Sequence, residues 1–179
     1  MESIDIKKID RTSAEALSSL AKSIYVHHYA HLWLQDGMDW YINEFAYPVS
    51  KITNEIDNEN CLHYIAYIND KPVGYLKINI DASIEGGDKK KGIELERIYI
   101  DTNAVNMGLG TYLMNFVLDI AKSYQKEYIF LKAMDTAQLA LQFYAKMGYE
   151  KVGAFRLSDT TFHLMKEAYR GMYILKKTI

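Results

Sequence analysis

The stretch "NMGLGTYLMN", residues 106–115, sets two glycines one residue apart directly before an apolar run of helical spacing. The first amides of a helix have no partner within it and carry the positive end of its dipole, so a strand-loop-helix junction can seat an anion. Gly108 and Gly110 remove the side chains that would keep a phosphate off those amides. The same pair also suits plain turn geometry. Two familiar phosphate motifs are excluded by spelling: no Gly-Lys-Ser/Thr follows, and Leu113 stands where a dinucleotide fingerprint needs its third glycine. Upstream, Glu94 and Glu96 in "GIELERIYI" fall on one face of a strand. Such carboxylates can take a proton from a substrate, or merely pair with Arg97 or a lysine. A regular strand turns Arg97 to the opposite face, which disfavours that pairing.

Two further clusters lie near the N-terminus. His27, His28 and His31 in "HHYAHLW" have helical spacing, but no cysteine or third-ligand motif completes a site beside them, and no metal is expected. Trp33, Trp40, Tyr41 and Tyr47 interleave with Asp36, Asp39 and Glu44, a mixture of ring faces and carboxylates that can hold a cation. His31, Trp33, Asp36, Trp40, Tyr41 and Glu44 are accordingly predicted to bind the substrate; the alternative is an amphipathic helical cover over a sheet.

These groups need elements to hold them. "IDIKKID" alternates as a half-buried strand, and Ser13 stands where an N-cap would start a helix carrying Leu17, Ala21, Ile24 and Tyr25. A second helical stretch follows, with Asp36 as its cap and Pro48 as a break. "CLHYIAYI", Asn69-Asp70 and "KPVGYLKINI" read as a hairpin, and "GIELERIYI" as the next strand. After it come a helix striped by Leu109, Leu113, Phe116, Val117 and Ile120, the strand "EYIFLKA", and a helix ending at Gly148. "YEKVGAF" and "GMYILKKTI" supply two last strands, separated by about 15 residues without a clear pattern. The order is that of a mixed α/β fold, expected as a single domain over residues 1–179.

Composition excludes more than it names. With 179 residues, 49% hydrophobic and 25% charged, and a net charge of -2, the chain has no bulk attraction for nucleic acid or an anionic membrane. Cys61 is the single cysteine, so no internal disulfide forms, and no apolar run approaches the ~18 residues of a membrane span. No charged-then-apolar leader opens at Met1, so a cytoplasmic location is expected. The oligomeric state is open, a homodimer included.

"ELERIYIDTNAVNMGLGTYLMNFVLDIAK", followed by "ALQFYAKMGYEKVGAF", resembles the two signature segments of the GNAT N-acetyltransferase superfamily. With "GYLKINI" and the long tail after "KMGYEKVG", the chain is similar to the PaiA-type polyamine N-acetyltransferases over roughly residues 4 to 179. The resemblance implies a mostly antiparallel mixed sheet of about seven strands flanked by about four helices. It implies acetyl-coenzyme A as co-substrate, its pyrophosphate on the amides of Asn106, Met107, Gly108, Leu109, Gly110 and Thr111. The rest of the coenzyme would run along Ile98, Tyr99 and Ile100 and past Ala137 and Tyr144, with Lys146 available to the phosphates or to solvent. Tyr144 matches the family's general acid, whose other reading is a core aromatic; Glu94 matches the general base, with Glu96 second. Two positions depart from the family pattern: Val105 replaces Gln or Arg ahead of the glycines, and Ala137 replaces a common asparagine.

The implied activity is direct transfer of acetyl to a primary amine of a small molecule, with a polyamine as the suggested acceptor. Such an amine has a pKa near ~10.4 and is almost wholly protonated at neutral pH, so something must remove the proton. Two readings compete. A protein or peptide amine acetyltransferase would show an open groove instead of a lid, and a coenzyme A-binding regulatory module would bind without turnover.

Overall fold

Alternation along "CLHYIAYI" and "KPVGYLKIN" produces β2 (Cys61–Ile68) and β3 (Lys71–Asn79). Asn69 and Asp70 join them with φ of 50° and 63°, the left-handed pair that a tight two-residue hairpin requires. The computed structural model describes residues 3–105 and 107–179. In it, β1 (Ile4–Lys8), β4 (Gly92–Ile100), β5 (Tyr128–Met134), β6 (Glu150–Arg156) and β7 (Gly171–Thr178) complete a sheet of order β1-β2-β3-β4-β5-β7-β6. Every neighbouring pair is antiparallel except β4 with β5.

Helices cover both faces because each strand alternates two apolar sets. Leu76, Ile78, Ile93, Leu95 and Ile129 meet α4 (Leu109–Ser123) through Leu109, Leu113 and Val117, with α5 (Gln138–Lys146) beside it. Each such fully buried leucine contributes about 2 kcal/mol relative to an exposed one. On the other face Ile65, Tyr75 and Tyr99 meet α1 (Ala14–Tyr29) and α3 (Val49–Ile56). Between those helices, α2 (Gly37–Trp40) runs on as a wider π-type turn, Tyr41–Ala46, and Pro48 interrupts the stretch as expected, with extended ψ of 139°. Among the described residues no helix is long and apolar enough to cross a membrane.

Two caps differ from expectation. Ser13 makes no side-chain bond at the start of α1; Asp10 instead accepts from the Thr12 amide at 3.0 Å and caps the short turn that leads in. Asp36 likewise makes no capping bond. The patternless segment becomes a chain of turns whose Met165 bridges to Trp33, while the Leu34 amide donates to Leu164 O at 2.8 Å. It therefore closes over the sheet beside α1 and α2.

Candidate active site

β4 and β5 pair only at Gly92, Ile93 and Glu94, opposite Tyr128, Ile129 and Phe130. Beyond Glu94 the strands part, while β5 stays paired to β7 along its full length. A bulge in β4 accompanies the parting: Ile78 opposes Leu95 and Lys77 opposes Arg97, which leaves Glu96 as the extra residue. Bulges bend and twist a strand, and this one sits just past the last paired residue. The result is a wedge-shaped cavity of about 310 Å³, walled by β4 from Leu95 to Tyr99 and β5 from Leu131 to Met134. Backbone groups on the facing edges have no ladder partner there, which suits an extended amide-bearing chain such as a pantetheine arm.

The bulge also overturns the expected direction of Arg97. Because one residue is inserted, Glu94, Glu96 and Arg97 all fall on the face of Lys77 and Asn79. Glu96 lies 2.8 Å from Lys77 Nζ, accepts from Asn79 Nδ2 at 2.9 Å, and is 3.6 Å from the Arg97 guanidinium. Glu94 accepts from Lys132 Nζ at 2.8 Å and from Asn79 Nδ2 at 3.0 Å. Burial acts to raise the Glu96 carboxyl, but the Lys77 and Arg97 charges and the bonds from Lys77 and Asn79 outweigh it and hold its pKa below the usual range. Both glutamates are thus ion-paired, yet only Glu96 lines the cavity.

Tyr144 lines the same cavity from α5. Burial pushes its pKa up, so the hydroxyl is a proton donor throughout the neutral range. Among the described residues it has no hydrogen-bond partner, and the ring packs on Phe143 and Tyr149 at centroid distances of 5.5 and 6.0 Å. Ala137, just ahead of α5, and Ile98 and Tyr99 line the cavity too. Ile100 sits at the end of β4, where its carbonyl accepts from His28 Nε2 at 2.8 Å.

At the start of α4, Gly108 has φ of 79°, a left-handed value that favours glycine, and a Cβ there would meet nothing within 4 Å. Gly110 is closely packed instead: a Cβ would come within 3.3 Å of the Phe143 ring, which would have to shift by a few tenths of an ångström, and 3.7 Å from Ile100. The first intrahelical bond among the described residues runs from Tyr112 N to Gly108 O, which leaves the Leu109, Gly110 and Thr111 amides without helical partners there. Among the described residues no acidic residue stands in that turn and no side chain caps it, so the junction fits an anionic group. Met107 and Val105 are exposed beside it, and Asn106 lies outside the described residues. Lys146 is exposed at the far end of α5.

The expected substrate cluster is separated by the fold. Tyr41 lines the cavity, but Asp36, Asp39 and Glu44 are exposed and outside it, and His31 is exposed against Tyr169. Trp33 is buried, donating from Nε1 to Tyr25 Oη at 3.1 Å, and Trp40 packs on Phe45. The helical period turns the rings inward and the acids to solvent. The histidines of "HHYAHLW" also go separate ways, with His27 bonded to Ser23 O and His28 to Ile100 O. Three ligand-type side chains do meet elsewhere: Glu55, Cys61 and His63. Lys77, 2.8 Å from Glu55, sets a fixed positive charge there that opposes a metal cation.

Several cavity residues had no sequence signal. Phe155, Phe162 and Met165 belong to or adjoin the patternless segment, and Tyr25 and Tyr29 read only as part of a helical stripe. Lys77 could have been found, since alternation places it with Tyr75 and Asn79 on one face of β3.

Solved structures share this architecture. One is a PaiA N-acetyltransferase from Thermoplasma acidophilum in complex with coenzyme A, with a TM-score of 0.76, 20% identity and coverage of 99% of both chains. Another is a ribosomal-protein-alanine N-acetyltransferase from Brucella melitensis, with a TM-score of 0.71, 16% identity and coverage of 98% of this chain and 99% of that one. At such identities the likeness is one of fold. An uncharacterized N-acetyltransferase in the pepI 3' region of Lactobacillus delbrueckii subsp. lactis is 28% identical over 122 residues, which span 66% of this chain and 70% of the relative. The model of the Acetyltransferase (GNAT) family matches residues 23–149, which include the parted strands, the Gly108 junction and Tyr144, and the chain belongs to that family of acetyl-coenzyme A-dependent N-acetyltransferases.

Proposed function

We propose that the protein transfers acetyl from acetyl-coenzyme A directly to the primary amine of a small molecule, within a ternary complex. The observation that carries this reading is the joint lining of one cavity by Glu96 and Tyr144, where β4 and β5 part. The amides of Leu109, Gly110 and Thr111 hold the pyrophosphate, and the unpaired β4 edge orients the pantetheine arm. The amine nitrogen attacks the thioester carbonyl, a C–N bond forms, and the C–S bond breaks. Glu96 accepts the amine proton, directly or through water, and Tyr144 returns a proton to the departing thiolate. Alignment supplies much of the rate, because both reactants are held in one cavity.

Glu96 is a weak base with its pKa held low, so the substrate ammonium must be made more acidic. Desolvation and the fixed charges of Arg97 and Lys132 on the cavity wall do this, since both disfavour the protonated amine. The turns of 157–170 closing over the sheet beside Trp33 support a small acceptor over a protein segment. The resemblance of sequence suggests a polyamine as the acceptor class, a suggestion carried by the signature segments and not by the residues that line the cavity. A thiol-release assay with acetyl-coenzyme A and an amine panel tests the reading. Glu96→Gln should lower kcat/KM at neutral pH and recover toward the parent at high pH, where free amine forms unaided. Recovery in Glu94→Gln alone would move the base two residues along, and coenzyme A binding with no turnover on any amine would refute catalysis.

A further inference from the structure

The side of the cavity away from α4 and α5 is walled by rings and thioethers. Tyr25 lies with its centroid 4.6 Å from Tyr41 and 4.9 Å from Tyr29, and all three line the cavity. Phe155, Phe162 and Met165 line the cavity as well. Phe162 packs edge-on against Phe45 at 5.4 Å, so this wall is continuous with the aromatic cover.

Charge is the second observation. The charged residues that line the cavity are Glu96, Arg97 and Lys132, one carboxylate against two cations. Glu96 already meets Lys77 and Arg97, and Lys132 is bonded to Glu94. Among the described residues no lining carboxylate is left over for a second ammonium group. Asp36, Asp39 and Glu44, which could have supplied the charge, face solvent elsewhere. A polycation entering this space would lose hydration and gain no net negative field, whereas one amine on an apolar body would bury that body against rings.

Resting on the acetyltransferase reading above, we propose that the acceptor is a monoamine carried on an apolar aryl or alkyl scaffold, and that polyamines are poor substrates. The amine lies toward Glu96 among the tyrosines, whose faces tolerate a single positive charge until it is removed. The scaffold lies against Phe155, Phe162 and Met165.

The test is calorimetric titration of coenzyme A-saturated protein with 2-phenylethylamine, ethanolamine and spermidine. 2-Phenylethylamine should bind tighter than either of the others by on the order of tenfold or more, the advantage of burying a phenyl ring. Phe162→Ser should narrow the ratio of 2-phenylethylamine to ethanolamine, with the coenzyme A affinity of the variant showing that it is folded. Spermidine binding as tightly as 2-phenylethylamine, or an unchanged ratio in folded Phe162→Ser, would overturn the inference. Thiol release run in parallel separates the two proposals. Turnover that favours spermidine refutes only the acceptor class, whereas absence of turnover refutes the catalytic reading and leaves the order of affinities to judge the pocket.

Discussion

Lys77→Met should cost stability in a way that depends on pH. Lys77 has a side chain only 7% exposed and lies 2.8 Å from both Glu55 and Glu96. Burial acts to raise the Glu55 carboxyl, but the His63 bond and the Lys77 ammonium outweigh it and carry its pKa from 4.5 to about 2. Lys77 supplies only part of that lowering beside His63 and Arg97, and water still reaches part of the carboxylate, so its share is on the order of 1–2 kcal/mol. Removing the ammonium also leaves Glu96 with only Asn79 and the more distant Arg97 guanidinium, and breaking buried pairs commonly costs about 3–5 kcal/mol. We therefore expect a loss of about 3 kcal/mol near neutral pH, or a Tm lower by roughly 6–12 °C for a chain of this size. The sign with pH follows from the depressed folded-state value. The stabilisation is complete above the unfolded pKa of 4.5 and disappears as pH falls toward about 2. The gap between parent and variant should thus shrink as urea unfolding, followed by tryptophan fluorescence, is repeated from about pH 6 down to about pH 3. A loss below ~1 kcal/mol near neutrality, or a gap that does not shrink on acidification, would refute the argument. The same substitution should raise the Glu96 pKa and move the acid limb of kcat/KM to higher pH.

Gly108→Asp should separate stability from binding. A carboxylate at the start of α4 suits the helix dipole and offsets the cost of a side chain at φ of 79°, so apo stability should change by less than about 1 kcal/mol. It should nevertheless abolish the thermal shift given by acetyl-coenzyme A, and an undiminished shift would remove this junction from the site. Tyr144→Phe keeps the packing on Phe143 and Tyr149 but removes a hydroxyl with no protein partner among the described residues. Coenzyme A affinity should hold while kcat falls on the order of 10²-fold, and parent-like turnover would make Tyr144 a core aromatic.

The strands, the hairpin at Asn69-Asp70, the break at Pro48 and the helix starting after Gly108 were all legible in the sequence. Each is fixed by local rules: period-two alternation, left-handed turn residues, a missing donor and helical spacing. The signature segments likewise carried the family, because they occupy contiguous chain. Where the carboxylates point was decided only by tertiary structure. One inserted residue opposite Lys77 and Ile78 brings Arg97 onto the face of Glu96, and such an insertion is a property of two strands together. The parting of β4 from β5 depends in turn on β7, which pairs with all of β5 from 38 to 50 positions along the chain. Asp36, Asp39 and Glu44 show the same limit from the other side. Composition placed them among aromatic rings, but helical geometry turned the rings inward and the acids out, so proximity in sequence did not become proximity in the cavity.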